Sequence, residues 1–147
     1  MNKAQILEIR ALDKKFSQIK TPHLLDSPSQ GWIRTIRESL GMTSAQLAQR
    51  LGVSQARVAQ LEKNESNLKL STLRKVAGAL GCTFTYAIIP PKAISEIIDE
   101  QAEKKAKTIM NNVNINMALE DQAVKTKELV EDTKREILDK HISAIWD

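Results

Sequence analysis

The sequence predicts a mainly α-helical protein with a single β-strand, on three observations. Apolar residues recur at three- and four-residue steps through most of the 147 residues. Only "CTFTYAII", from Cys82 to Ile89, is rich enough in β-branched and aromatic residues to read as a strand. Prolines divide the helical runs: two lie in "KTPHLLDSPSQ", which reads as a linker, and Pro90 and Pro91 stop any regular element.

In chain order, residues 3–19 place Ile6, Ile9, Leu12, Phe16 and Ile19 on one face of an amphipathic helix. In "GWIRTIRESLGM", Ile33, Ile36 and Leu40 face inward and Arg34 and Arg37 outward. "TSAQLAQRLGVSQARVAQLEKNE", Thr43 to Glu65, is the most regular stretch. Thr43 suits an N-cap for a helix Ser44–Leu51 that directs Leu47, Ala48 and Leu51 to one side. Gly52 permits a left-handed step that closes this helix, and Val53 follows as a buried plug. Ser54 caps a second helix running to about Lys63, with Val58 and Leu61 inward. Two helices joined by so short a turn cross steeply, and Ala48 is the small residue their contact point needs. "LSTLRKVAGALG" adds a helix N-capped by Ser71, with Leu73, Val76, Ala77 and Leu80 facing in.

Beyond the prolines, Ile94, Ile97, Ile98, Ala102, Ile109, Met110 and Val113 form one stripe, and "NNVNIN" breaks it. A last helix runs from about Leu119, with Val130, Ile137, Leu138, Ile142 and Ile145 together. A lone strand cannot satisfy its own backbone, so antiparallel pairing with a second copy through Thr83, Phe84, Thr85 and Tyr86 is the simplest expectation. The expected organisation is an N-terminal helix and linker (1–30), a helix-turn-helix domain (31–81), a strand (82–91) and a C-terminal helical extension (92–147).

The net charge is +4, unevenly placed. Residues 31–91 carry eight Lys/Arg against three Asp/Glu, and residues 92–147 carry nine against twelve. A basic middle beside an acidic tail suits a polyanion-binding module joined to a part with another task. The lone Cys82 excludes an internal disulfide and fits a reducing compartment. The N-terminus lacks the apolar region of a signal peptide and no apolar run is long enough to span a bilayer, so a cytoplasmic protein without membrane contact is expected. His23 and His141 lie far apart, and no metal or cofactor is expected. Cys82 reads as a small buried residue without a base beside it, and no Gly-rich phosphate loop occurs, so no enzyme is expected.

On a wheel through the second helix of the motif, Ala56, Ala59, Gln60 and Lys63 oppose Val58 and Leu61. Gln55 sits in the first turn, where a helix in a major groove approaches the bases most closely. Gln bonds bidentately to adenine, the Ala56 methyl suits a thymine methyl, and Arg57 reaches a guanine or a phosphate. Base readout is therefore assigned to Ser54, Gln55, Ala56, Arg57 and Gln60. Phosphate contacts are assigned to Arg34, Arg37, Thr43, Ser44, Lys63, Asn64, Asn67 and Lys69. Double-stranded DNA, read by a homodimer on a pseudo-palindrome, is the expected partner.

Residues 31–81 resemble the phage-repressor/Cro-like helix-turn-helix family. That resemblance implies that Gln55, Ala56 and Gln60 face bases, and that the helix start at Thr43–Ser44 and the loop after the second helix touch phosphates. One departure is Asn64, where a glycine often ends the second helix; Asn also tolerates the left-handed conformation. "GWIRTIRESLGM", "LRKVAGALGCTFTYAIIP", "MALEDQAV" (Met117–Val124), the terminal "IWD" and "ALDKKF" further resemble the helix-turn-helix proteins called mobile mystery protein A. This second resemblance implies a Fic-domain protein as partner, in an arrangement like a toxin–antitoxin pair, and hence an antitoxin-like autorepressor. Some antitoxins of Fic enzymes use Ser/Thr-x-x-x-Glu. No Ser or Thr here has Glu four residues later, the nearest being Ser95 with Asp99, so direct inhibition by that device is disfavoured.

The alternative function is a protein-interaction module that neutralises a Fic-domain partner through the C-terminal helices. "MALEDQAV" reads equally as a helix start, with Glu120 and Asp121 in its first turn, or as a contact patch. Trp146 suits packing on a neighbouring subunit or anchoring a partner. Glu128, Glu131, Asp132 and Glu136, alternating with Lys127, Lys134 and Arg135, read as a solvated, ion-paired face.

Overall fold

A computed structural model of the chain describes residues 1–20, 26–113 and 122–147, with the side chains of 113 and 122–125 left aside. His23, the "NNVNIN" break after Val113 and most of "MALEDQAV" lie outside these residues. Seven α-helices are described: α1 (Lys3–Ser17), α2 (Trp32–Ser39), α3 (Ser44–Leu51), α4 (Gln55–Lys63), α5 (Leu70–Ala79), α6 (Ile94–Val113) and α7 (Gln122–Lys140). Short 3-10 turns follow at Glu65–Asn67 and Ile142–Trp146. The chain forms two compact units, Thr21–Ile88 and Met1–Lys20 with Ile89–Asp147.

The first unit holds α2 to α5 around Ile33, Leu47, Ala48, Val58, Leu61, Val76 and Leu80. Leu47 and Val58 are fully buried, and Ala48 is buried with them between α3 and α4. Thr43 caps α3 as its sequence suggests. Its Oγ1 accepts from the Gln46 amide at 3.2 Å, and the Gln46 side chain accepts from the Thr43 amide at 2.8 Å. At the other end Gly52 has φ +68, and the amides of Gly52 and Val53 bond back to the carbonyls of Gln49 and Ala48. Val53 thereby spends its backbone on closing the helix, and its side chain lies 38% exposed, not buried as a plug.

Two further local expectations change. α5 starts at Leu70, and Ser71 lies inside it without a capping role. Burial of Leu68, Leu73 and Val76 sets that start, rather than a hydroxyl cap. Asn64 has φ −111, because its amide continues the helical pattern to Gln60 and the 3-10 turn follows at once, so no left-handed step occurs.

The expected dimerising strand is not found in the single chain. Among the described residues no strand forms, and residues 82–90 carry no ladder within one chain. A β-strand exists only by exchanging backbone hydrogen bonds with a neighbour, which residue propensity cannot supply. Instead Cys82 bonds through its amide to Ala77 at 2.8 Å and lies exposed, contrary to its expected burial. Phe84 and Tyr86 stack with ring centroids 6.2 Å apart, and the Arg74 guanidinium lies 5.9 Å from the Tyr86 ring.

The second unit is built on α6 and α7, which run antiparallel with Ala102 and Ala106 facing Val130 and Ile137. Ile145, on the terminal 3-10 turn, is fully buried against them, and the Gln101 amide donates to its carbonyl at 2.8 Å. Ile109 leaves the expected stripe and is 37% exposed, because the packed face follows residues 98, 102, 106 and 110. α1 lies on α6 with Ile6, Ile9, Leu12 and Phe16 half-buried. The Asp13 carboxylate caps α6, accepting from the amides of Ile94 (2.6 Å) and Ser95 (3.3 Å) and from the Ser95 hydroxyl (2.7 Å). The Ser95 hydroxyl, with those amides, holds Asp13 below the ordinary carboxylate range against the opposing effect of desolvation.

Candidate nucleic-acid interface

α4 presents a polar outer face on a firmly anchored helix. Val58 and Leu61 point into the core, while Gln55, Ala56, Arg57, Ala59, Gln60 and Lys63 are all exposed. Ser54 is exposed and caps the helix, its Oγ accepting from the Arg57 amide at 3.1 Å. The hydroxyl proton of Ser54 is therefore still available to an acceptor outside the protein. Arg57 reaches toward Gln60, with 3.5 Å between guanidinium and amide oxygen. Four of the five residues assigned to base readout are thus consecutive at the N-terminal end of α4, and Gln60 stands one turn on.

The phosphate assignments divide. Lys63, Asn64, Asn67 and Lys69 are exposed and gathered around the 3-10 turn after α4. Thr43 is exposed and Ser44 half-buried at the start of α3. Arg34 is exposed and bonded to Glu38 one turn along α2 at 2.9 Å. Arg37 is different and is a correction. It is 8% exposed, and its Nε lies 2.5 Å from Glu62 Oε1 while Nη1 donates to the Met42 carbonyl at 2.8 Å. The Glu62 hydrogen bond is the main cause that holds the guanidinium above its ordinary pKa. An arginine whose donors are committed in this way ties α2 to α4 and has no free fork for a phosphate.

Three positioning contacts escaped the sequence reading. Glu62 is the partner that Arg37 required. Glu65 accepts from the amides of Trp32 (3.0 Å) and Ile33 (2.6 Å), capping α2 from the loop that carries Asn64 and Asn67. Gly31, at φ +81, makes room for it, since a Cβ there would stand 2.9 Å from the Glu65 carboxylate. The only hint in the sequence was that α2 begins after a glycine with no capping side chain of its own. Arg50 donates to the Ala79 carbonyl at 3.0 Å, supporting the end of α5.

Among the described residues no group of three or more His, Cys, Asp or Glu is placed to hold a metal ion. Among them too, no helix is long and apolar enough to cross a membrane. Of the residues assigned to dimerisation, Thr83, Thr85, Tyr86 and Trp146 are exposed and Phe84 is half-buried.

Residues 33–86 match the family model described as helix-turn-helix. Over 72 residues the chain is 35% identical to the HTH-type transcriptional regulator SutR of Escherichia coli (strain K12), covering 48% of this chain and 40% of that protein. Over 75 residues it is 39% identical to the Immunity repressor protein of Bacillus phage phi105, covering 51% of this chain and 50% of that one. The chain therefore spans half or less of the length of these relatives. No solved structure matches. The residues matched by the helix-turn-helix model take in most of α2 and all of α3 to α5, and the chain is similar in sequence to a bacterial transcriptional regulator and a phage repressor.

Proposed function

We propose that the protein is a sequence-specific DNA-binding transcriptional regulator, a repressor of its own operon, with α4 as the helix that enters the major groove. The observation that carries this reading is the outer face of α4. Gln55, Ala56, Arg57 and Gln60 stand clear of solvent-excluding contacts, on a helix whose inner face is anchored by Val58 and Leu61. Short polar and methyl side chains fit between phosphate walls, and the cluster Lys63, Asn64, Asn67 and Lys69 supplies phosphate donors beside them. In a dimer two such helices would meet successive major grooves about 34 Å apart. Thr83, Phe84, Thr85, Tyr86 and Trp146 are the proposed contact residues between copies.

The test is binding to duplex from upstream of its own gene against scrambled duplex. Preference of about 10³-fold or more supports the reading. Equal, weak binding to both would leave α4 as a scaffold element.

A second reading rests on the resemblance to mobile mystery protein A and on the separate unit of α1, α6 and α7, which the helix-turn-helix domain does not need for its own core. In it, that unit binds a Fic-domain protein and the pair works as antitoxin and toxin. Co-expression with a Fic-domain protein encoded beside the gene tests this. Co-elution weakened by Trp146→Ala supports it, and separate elution of the two wild-type proteins sinks it.

A further inference from the structure

α1 has two faces. The face toward α6 carries Ile6, Ile9, Leu12 and Phe16, and the opposite stripe carries Lys3, Leu7, Arg10 and Lys14, all exposed, with exposed Lys15 beside it. These positions are spaced i, i+4, i+7 and i+11, so they stack along one line of the helix. Among the described residues none of the four cations has an ion-pair partner. Of the two acids on α1, Asp13 is turned away into the cap of α6, which leaves Glu8 alone to offset them.

α6 and α7 serve as an internal comparison. Lys107, Arg135 and Lys140 each have an acid three or four residues away on the same helix, and Lys134 meets Asp99 across the pair. Lys104 and Lys127 on the same helices are exposed and have no ion pair among the described residues, but each stands singly. On α1 three such cations, Lys3, Arg10 and Lys14, share one line, with Lys15 about a quarter turn away.

We infer that the Lys3–Arg10–Lys14–Lys15 surface of α1 is a second DNA-contacting surface, binding backbone phosphates flanking the site read by α4. The inference rests on the DNA-binding reading above. A polyanion is favoured over an acidic protein because the stripe offers one apolar residue, Leu7, where a protein interface needs an apolar, often aromatic centre. Phosphate contact needs only positive charge and no shape match. Because α1 and α4 share one chain, DNA held by α4 would be present at high effective concentration for α1. The fourteen residues between Ser17 and Trp32 span roughly 50 Å at most, so α1 is confined to flanks near the operator.

The experiment uses the full chain with Lys3, Arg10, Lys14 and Lys15 all changed to Gln, a good helix former. Binding is measured by fluorescence anisotropy across a salt series, on upstream duplex of about 20 and about 40 base pairs, the shorter trimmed to the footprint of α4. The expected result is a loss of about tenfold or more on the long duplex at low salt, with the salt slope shallower by about 3, and no change on the short one. Leu7→Lys, which fills the gap between Lys3 and Arg10 with a further cation, is expected to steepen the slope on the long duplex by about 1, a gain that damage to the fold cannot imitate. Unchanged binding to the long duplex overturns the inference, as does the same four-residue change abolishing capture of an acidic protein or anionic vesicles while the DNA curves stay put. Equal loss on both duplexes overturns the flanking assignment. Failure of the wild type to prefer upstream over scrambled duplex would instead sink the operator reading, since the length-dependent loss does not depend on sequence.

Discussion

The helix-turn-helix unit and the α1/α6/α7 unit start from similar material, amphipathic helices with charged outer faces, and they differ in where charge is buried, paired or left open. In the first, the buried pair Arg37–Glu62 locks α2 to α4, while Lys63 and Lys69 stand without ion-pair partners among the described residues. In the second, α6 and α7 carry the helix-spaced pairs Glu103–Lys107, Asp132–Arg135 and Glu136–Lys140, beside exposed Lys104 and Lys127, which have no ion pair among the described residues. Charge buried between helices fixes geometry, charge paired on a surface stays neutral toward partners, and charge left unpaired is what a polyanion can use.

The largest effect expected from breaking this contrast is at Glu62. Glu62→Ala removes the main acceptor of Arg37, which is 8% exposed, leaving it the Met42 carbonyl and the Glu38 carboxylate 3.7 Å away, and is expected to cost up to about 3 kcal/mol. Hydrogen exchange should speed up in α2 and α4 and leave α6 and α7 unchanged. The double change Arg37→Met with Glu62→Leu should recover most of that loss, because no buried charge remains. Next, Gln55→Ala is expected to cost roughly 1–3 kcal/mol of binding and relax preference at one base pair. Measured against a panel of single-base variants, a uniform loss on every duplex would show that the assigned register is wrong.

A smaller, pH-dependent effect belongs to Asp13. Its carboxyl sits below the ordinary value when folded, so its stabilisation is fully present above about pH 4 and is lost as pH falls through the lower folded value. Acid titration followed by exchange of the α1 and α6 amides should show loosening in that window. Asp13→Asn should remove the pH dependence while weakening the contact at neutral pH. The smallest effect is expected at the exposed Asp132–Arg135 pair, where Asp132→Asn should change thermal stability by less than about 0.5 kcal/mol.

What the sequence made legible follows its local chemistry. Thr43, Gly52 and Ser54 each act through neighbours within a few residues, so cap, turn and cap could be read directly, and Ala48, Val58 and Leu61 followed from periodicity. Ionic partners distant in sequence were not legible. Arg37 looked like an outward cation because nothing in "WIRTIRES" announces Glu62, 25 residues on. Glu65 on α2 and Asp13 on α6 are likewise caps delivered across 32 and 81 residues. "ALDKKF" was visible as a string, while the task of its aspartate depended on a helix at the other end of the chain. The strand failed for a related reason: propensity marks a segment willing to pair, and only a neighbour makes it a strand.

If the outer face of α4 reads DNA sequence, the protein must prefer its own operator to other duplexes. Fluorescence anisotropy with duplex from upstream of its own gene, against scrambled duplex and across a salt series, tests it most directly. The expected result is a preference of about 10³-fold or more, with a steep salt slope shared by both duplexes, and Gln55→Ala lowering the preference at one base pair only. Equal affinity for the two duplexes at every salt concentration would contradict it.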